Sequence, residues 1–196
     1  MLRKSVARFV SAALNAPLIA LATFIPLILA HQNPSTPMII AITAIFGSFM
    51  PLAFIYYMAR KRIIPDFYAS DRKTRFKPFL GAMASYLMGV LFLSMVGAPE
   101  GVIALMACYF VNAAILLIIT LGWKISIHTS GVTGPVTALV FQMGAKMLPF
   151  FLLALPVAWA RLELKAHNLK QVIAGTLLTT GLTWIQMNLY LNYLLT

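Results

Sequence analysis

The chain has 196 residues, 61% of them hydrophobic and 10% charged, where a soluble domain carries about 25% charged residues. That balance excludes an ordinary soluble domain and implies a polytopic membrane protein. The net charge of +11 is spread over short loops between apolar runs, the pattern of cytoplasmic loops and not of a nucleic-acid face, so no nucleic-acid partner is expected.

A span needs roughly 20 mostly apolar residues. The N-terminus, MLRKSVARFVSAALNAPLIALA, begins basic and turns apolar as a signal peptide does. The apolar part continues to Ala30 without a clear cleavage site, so it reads as a retained first span over about 9–30. The loop HQNPSTP follows, with His31 read as a solvated histidine. A second span covers about 38–59 and ends in Tyr56-Tyr57, an interfacial aromatic pair. Next comes the longest polar segment, RKRIIPDFYASDRKTRFKPF, over 60–79. The third span, about 80–97, carries small residues at near-helical spacing (Gly81, Ala82, Ala84, Ser85, Gly89), which permits close helix packing. The fourth covers about 102–122 and holds Cys108, alone in an apolar run, which leaves no internal disulfide and no cysteine metal site.

A second polar stretch, WKISIHTSG, runs over 123–131. The fifth and sixth spans, about 132–143 and 148–160, contain Pro135, Pro149 and Pro156 and are short for a full crossing. A third polar stretch, RLELKAHNLKQ, covers 161–171 and precedes the last span, about 172–195. The expected fold is all-α: an integral membrane helical bundle of about six to seven transmembrane helices. It forms one transmembrane domain over 1–196, with two N-terminal helices in 1–60, a core in 61–175 and a last helix in 176–196.

With the N-terminus inside, every lysine and arginine except Lys146 falls on one side. Positive loops face the cytoplasm. The expectation is therefore a multi-pass cell-membrane protein with N-terminus and polar segments cytoplasmic and C-terminus outside. Its expected partner is the bilayer, with a homo-oligomer left open.

The three polar segments hold nearly all the side chains that could do chemistry. They offer Arg72 and Arg75, then Lys124, Ser126 and His128, then Arg161 and His167. Several cations, a hydroxyl and two histidines suit a phosphate, since arginine forks grip phosphate oxygens bidentately and lysine adds a point charge. A phosphate monoester can be cleaved without metal if one histidine attacks phosphorus and another protonates the leaving oxygen.

These residues resemble the type 2 phosphatidic acid phosphatases, relatives of the vanadium haloperoxidases. That family carries K-x6-R-P, then P-S-G-H, then S-R-x5-H-x3-D. Arg161 and His167 stand at the third motif's spacing, Ser126-Ile127-His128 matches S-x-H, and Arg72 to Pro78 is a degenerate first motif with Arg75 at its arginine. The resemblance covers about residues 66–175. It implies a metal-independent, cofactor-free hydrolase of lipid or isoprenoid phosphates or diphosphates, working through a phosphohistidine. It further implies His167 as nucleophile, His128 as general acid, and Arg72, Arg75, Ser126 and Arg161 on phosphate; Lys124 is our own addition to that set.

The chain departs from the motifs at Tyr68, where the lysine is expected, at Ala160 for serine, and at Gln171 for the orienting aspartate. Glutamine can fix a histidine tautomer but adds no charge to an imidazolium. Two other readings follow. One is an inactive relative that binds or moves a phosphorylated lipid. The other is a membrane prenyltransferase, whose D…R patterns Asp66, Asp71, Arg72 and Arg75 faintly match, although such enzymes need more carboxylates for magnesium than this chain supplies.

Overall fold

The computed structural model describes residues 2–65 and 72–195. The expectations placed on Asp66, Tyr68 and Asp71 lie outside these residues. Every regular element described is helical.

The chain opens with α1 (Leu2–Ala13) and α2 (Ala16–Leu29). Sequence reading expected one span here, but the two axes meet at 44°. The cause is local: Asn15 accepts from the Leu18 N–H as a helix cap, and Pro17 starts the new helix. Leu2, Val6 and Phe9 of α1 are exposed, while Ala7 and Ser11 are buried, so α1 is two-faced. A single 25-residue rod follows, made of α3 (Thr36–Ala44), a π-helical turn (Ile45–Phe49) and α4 (Met50–Arg60).

After a 3₁₀ turn (Arg72–Thr74), α5 (Phe76–Met95) and α6 (Glu100–Gly122) form an antiparallel hairpin. Its reversal is made at Gly97, whose φ of 65° favours glycine. Then come α7 (Ile127–Met143), a 3₁₀ stretch (Ala145–Leu153) running into α8 (Ala154–Glu163), and α9 (Leu169–Leu189) with a final π turn (Tyr190–Leu194).

Four rods are long and apolar enough to cross a membrane, five if the bent α1–α2 pair counts as one span. The sixth expected span looked too short in sequence. Its 3₁₀ half rises about 2 Å per residue against 1.5 Å in the α half, which stretches the 19-residue Ala145–Glu163 rod to about 33 Å, enough for a hydrocarbon core. The 17-residue α7 and the Thr-rich α9 are not among these rods, and the packing shows where their polar residues go. Their polar residues face each other. Ser130 Oγ donates to the Gly175 carbonyl at 3.1 Å, and Thr133 and Thr179 share a hydrogen bond at 3.1 Å. Thr137 Oγ1 bonds back to the Thr133 carbonyl at 2.7 Å. Buried hydroxyls satisfied this way act as interhelical glue without needing water. Gly175 sets the approach: a Cβ there would lie 2.6 Å from the Ser126 carbonyl oxygen. The α7–α9 pair is thus an internal axis, and its near end carries the polar segments.

Candidate functional site

Each of the three polar segments is held by its own local structure. Arg75 lies just before α5 and is 2% exposed; its Nη1 donates to the Ile125 carbonyl at 3.2 Å. This bond fastens the first segment to the second. Ser126 is wholly buried, and its hydroxyl caps α7 by accepting from the Thr129 N–H at 3.5 Å. The cap starts α7 five residues earlier than the apolar run indicates, which puts His128 in its first turn. The Ser126 N–H donates to the Gln171 carbonyl at 3.2 Å, fastening the second segment to the third.

The third segment is a tight reversal. Lys165 takes the left-handed region at φ 52°, and the Arg161 carbonyl accepts from the N–H of Ala166 at 3.0 Å and of His167 at 3.3 Å. The five-residue spacing therefore folds His167 back over the end of α8. Arg161 is 3% exposed, and its Nη1 donates to Ser11 Oγ of α1 at 3.0 Å. Asn168 and Gln171 form a reciprocal capping box that opens α9.

That box settles the protonation of His167. Gln171 Oε1 accepts from the Asn168 N–H at 3.3 Å, so its oxygen faces the imidazole, 3.0 Å from His167 Nδ1. Nδ1 must then carry the hydrogen, which leaves the Nε2 lone pair free. Burial first, then the charges of Arg75 and Arg161, push the His167 pKa down to about 3; the Gln171 hydrogen bond opposes this and Lys124 adds to it. The charges of Arg161 and Arg75 act on His128 as well, as does His167. The two imidazoles and the buried guanidiniums thus form one electrostatic group.

Arg75, His128 and His167 line a cavity of about 180 Å³ that continues inward past Phe79, Tyr109 and Leu116. Its outer end is cationic and its inner end largely apolar. The other expected site residues sit elsewhere. Arg72 donates through Nη1 to the Leu121 carbonyl at the end of α6 and does not line the cavity. Ser126 is a helix cap behind the wall, and Lys124 acts on His167 by charge. Glu163, the carboxylate nearest in sequence to Gln171's role, instead pairs with Arg3 at 3.6 Å. Among the described residues no three His, Cys, Asp or Glu side chains gather as a metal site.

Sequence reading missed Ser11, Asn112 and Thr183. Asn112 and Thr183 line the cavity, and Ser11 holds Arg161. A lone amide in the apolar middle of α6 was the one readable signal for Asn112. Compared with known proteins, the chain matches no family model, no curated protein and no solved structure.

Proposed function

We propose that this protein is a membrane phosphatase that removes phosphate from a phosphorylated lipid through a phosphohistidine. The observation that carries this reading is the shared cavity: two imidazoles, one with a free Nε2, beside the buried Arg75 and above an apolar interior, with the charge of buried Arg161 acting on both imidazoles. The phosphoryl group sits between Arg75, Arg161 and Lys124, whose charges hold its equatorial oxygens. His167 Nε2 attacks phosphorus, and the bond from phosphorus to the ester oxygen breaks. His128, charged once the phosphate offsets the surrounding cations, gives its proton to the leaving oxygen, which departs as the lipid alcohol. Neutral His128 then takes a proton from water, the water oxygen attacks phosphorus, and inorganic phosphate leaves with Nε2 restored.

The finer topology belongs to this proposal. Seven crossings result if α1–α2, α3–α4, α5, α6, α7, the 3₁₀–α8 rod and α9 each count as one. The type 2 phosphatidic acid phosphatase core, with a cytoplasmic N-terminus and motif segments, fits that order. Arg72 and Ser126 support the site from behind it.

Gln171 favours a second reading, a lipid-phosphate binder without turnover, because a neutral acceptor gives the imidazolium no charge support. One experiment separates the two. Phosphate release is measured from a panel of lipid phosphates, with and without EDTA, for wild type and His167→Ala. The phosphatase reading expects EDTA-resistant release that His167→Ala abolishes. Full activity in His167→Ala sinks it, and tight binding with no release across the panel favours the binder.

A further inference from the structure

Helix α1 carries a surface that the proposed chemistry does not use. At about 100° per residue, its 12 positions divide into three edges. Ala7 and Ser11 are buried and form the edge that meets the protein. Leu2, Val6, Phe9 and Ala13 line a second edge, all exposed, with Leu2 at 79% and Phe9 at 72%. Lys4 and Arg8 line a third, also exposed. The apolar and cationic edges lie about 150° apart around the axis, with the protein-facing edge between them. This is the pattern of a helix at a membrane surface, apolar edge toward the acyl chains and cations toward the headgroups.

The contacts of α1 place it at that level. Arg3 pairs with Glu163 and Ser11 with Arg161, so α1 lies beside the polar end of the bundle. It bends 44° away from α2 and does not continue that helix's line into the hydrocarbon. Arg3, Lys4 and Arg8 would be costly there.

The cations decide what covers the surface. Arg3 is matched by Glu163. Among the described residues neither Lys4 nor Arg8 has an acidic partner. A second copy of the chain, with 15 basic residues against four acidic, would set like charges together. Anionic headgroups beside acyl chains answer both edges at once.

We infer that α1 is a docking surface for anionic lipid, with Lys4 and Arg8 on the headgroups and Leu2, Val6 and Phe9 at the acyl boundary. The inference needs only the placement of α1 at a membrane and stands apart from the phosphatase reading. Because Ser11 of the same helix holds Arg161, the leaflet and the candidate site grip one element from two sides.

The test uses the full-length protein with an environment-sensitive fluorophore on a Leu2→Cys variant; Cys108 is buried, so labelling is selective. It is reconstituted at low protein-to-lipid ratio into phosphatidylcholine vesicles, with and without about 30% phosphatidylglycerol. Both lipid mixtures carry a shallow doxyl quencher on the acyl chain, and the readout is the fraction of emission quenched. Each basic residue near an anionic surface favours the seated helix by about fivefold. Quenching should therefore rise about twofold or more with phosphatidylglycerol and fall back in about 0.5 M sodium chloride. Lys4→Gln/Arg8→Gln should remove the rise. Arg60→Gln/Lys61→Gln, which takes the same charge from exposed positions at the end of α4, should keep it. An unchanged unfolding temperature establishes that each variant folds. Equal quenching in the two lipids, or a rise that survives Lys4→Gln/Arg8→Gln, overturns the inference. Loss of the rise in both double variants also overturns it, because net charge and not α1 would then be responsible. A label shielded from water but not quenched by lipid, and re-exposed as the protein is diluted in the bilayer, would assign the surface to a second copy instead.

Discussion

Gln171 holds His167 with a neutral oxygen that also accepts from the Asn168 N–H. Geometry is therefore supplied and charge is not. Gln171→Glu keeps the chain length and both acceptor contacts while adding a negative charge beside Nδ1. We expect it to raise the phosphate-release rate by about tenfold, because the imidazolium character that grows during attack is then stabilised. Gln171→Met, which removes the acceptor, should lower the rate by on the order of 10²-fold. Equal rates in all three proteins would show that Gln171 does not orient the nucleophile. The same histidine predicts a pH effect on folding. Unfolded, His167 takes a proton near its ordinary value of 6.5; folded, only near about 3. The unfolded chain therefore binds more protons between these values, so this residue's share of stability is complete above pH 6.5 and declines as pH falls toward 3. The ligand-free protein's unfolding temperature, followed by tryptophan fluorescence, should drop between pH 7.5 and 5. Arg75→Gln should flatten that dependence by removing one of the charges that disfavour imidazolium; a dependence as steep as wild type's would contradict the assignment.

Helix α1 is usefully judged as an element and not as a leader to the first span. It lies on α8, pairs Arg3 with Glu163, and presents buried Ser11 to the buried Arg161 guanidinium. A guanidinium 3% exposed needs fixed acceptors to keep its aim. If Arg161 holds phosphate throughout the cycle as proposed, Ser11→Ala should raise KM for a lipid phosphate by roughly tenfold, with a smaller change in kcat. Ser11→Thr should restore KM. A fall in kcat alone would place Ser11 in some other role. Very little of this was readable beforehand. The spacing from Arg161 to His167 was legible because one local reversal, closed by Arg161's own carbonyl, brings the two together. The bent start of the chain was not, because a 14-residue apolar helix and its amphipathic neighbour blend into one hydropathy run. Ser11 and Arg161 are 150 positions apart, and Asn112 and Thr183 are 71 apart. No periodicity within one helix carries such pairings. The α7 and α9 helices were legible only by their apolar residues; the serines and threonines that join them looked like polar interruptions until each found its partner.

At the scale of the whole molecule, the site is a junction. Arg75 comes from the start of α5, Lys124 and His128 from the start of α7, and Arg161 and His167 from the α8–α9 turn, with α1 behind. The bundle gathers cations there without placing a carboxylate among the charges that act on His167. Like charges held together work against the folded state until an anion joins them. One oxyanion should therefore stabilise the entire bundle, since it is shared by several elements. Binding to the folded state alone adds RT ln(1 + [L]/Kd), about 2.7 kcal/mol at a hundredfold excess over Kd. Vanadate, which takes the trigonal-bipyramidal form of phosphorus under attack, is the suitable probe. It should raise the unfolding temperature by several degrees and compete with lipid phosphate for the site. EDTA should leave the shift intact, and added chloride should weaken it only modestly, because buried pairs are poorly screened. The shift should shrink in Arg75→Gln and in Arg161→Gln, each of which removes one cation from the junction. A shift of equal size in both variants would mean that vanadate binds elsewhere on this cationic chain, and no shift in wild type would mean that the gathered charges serve the fold and not an anion.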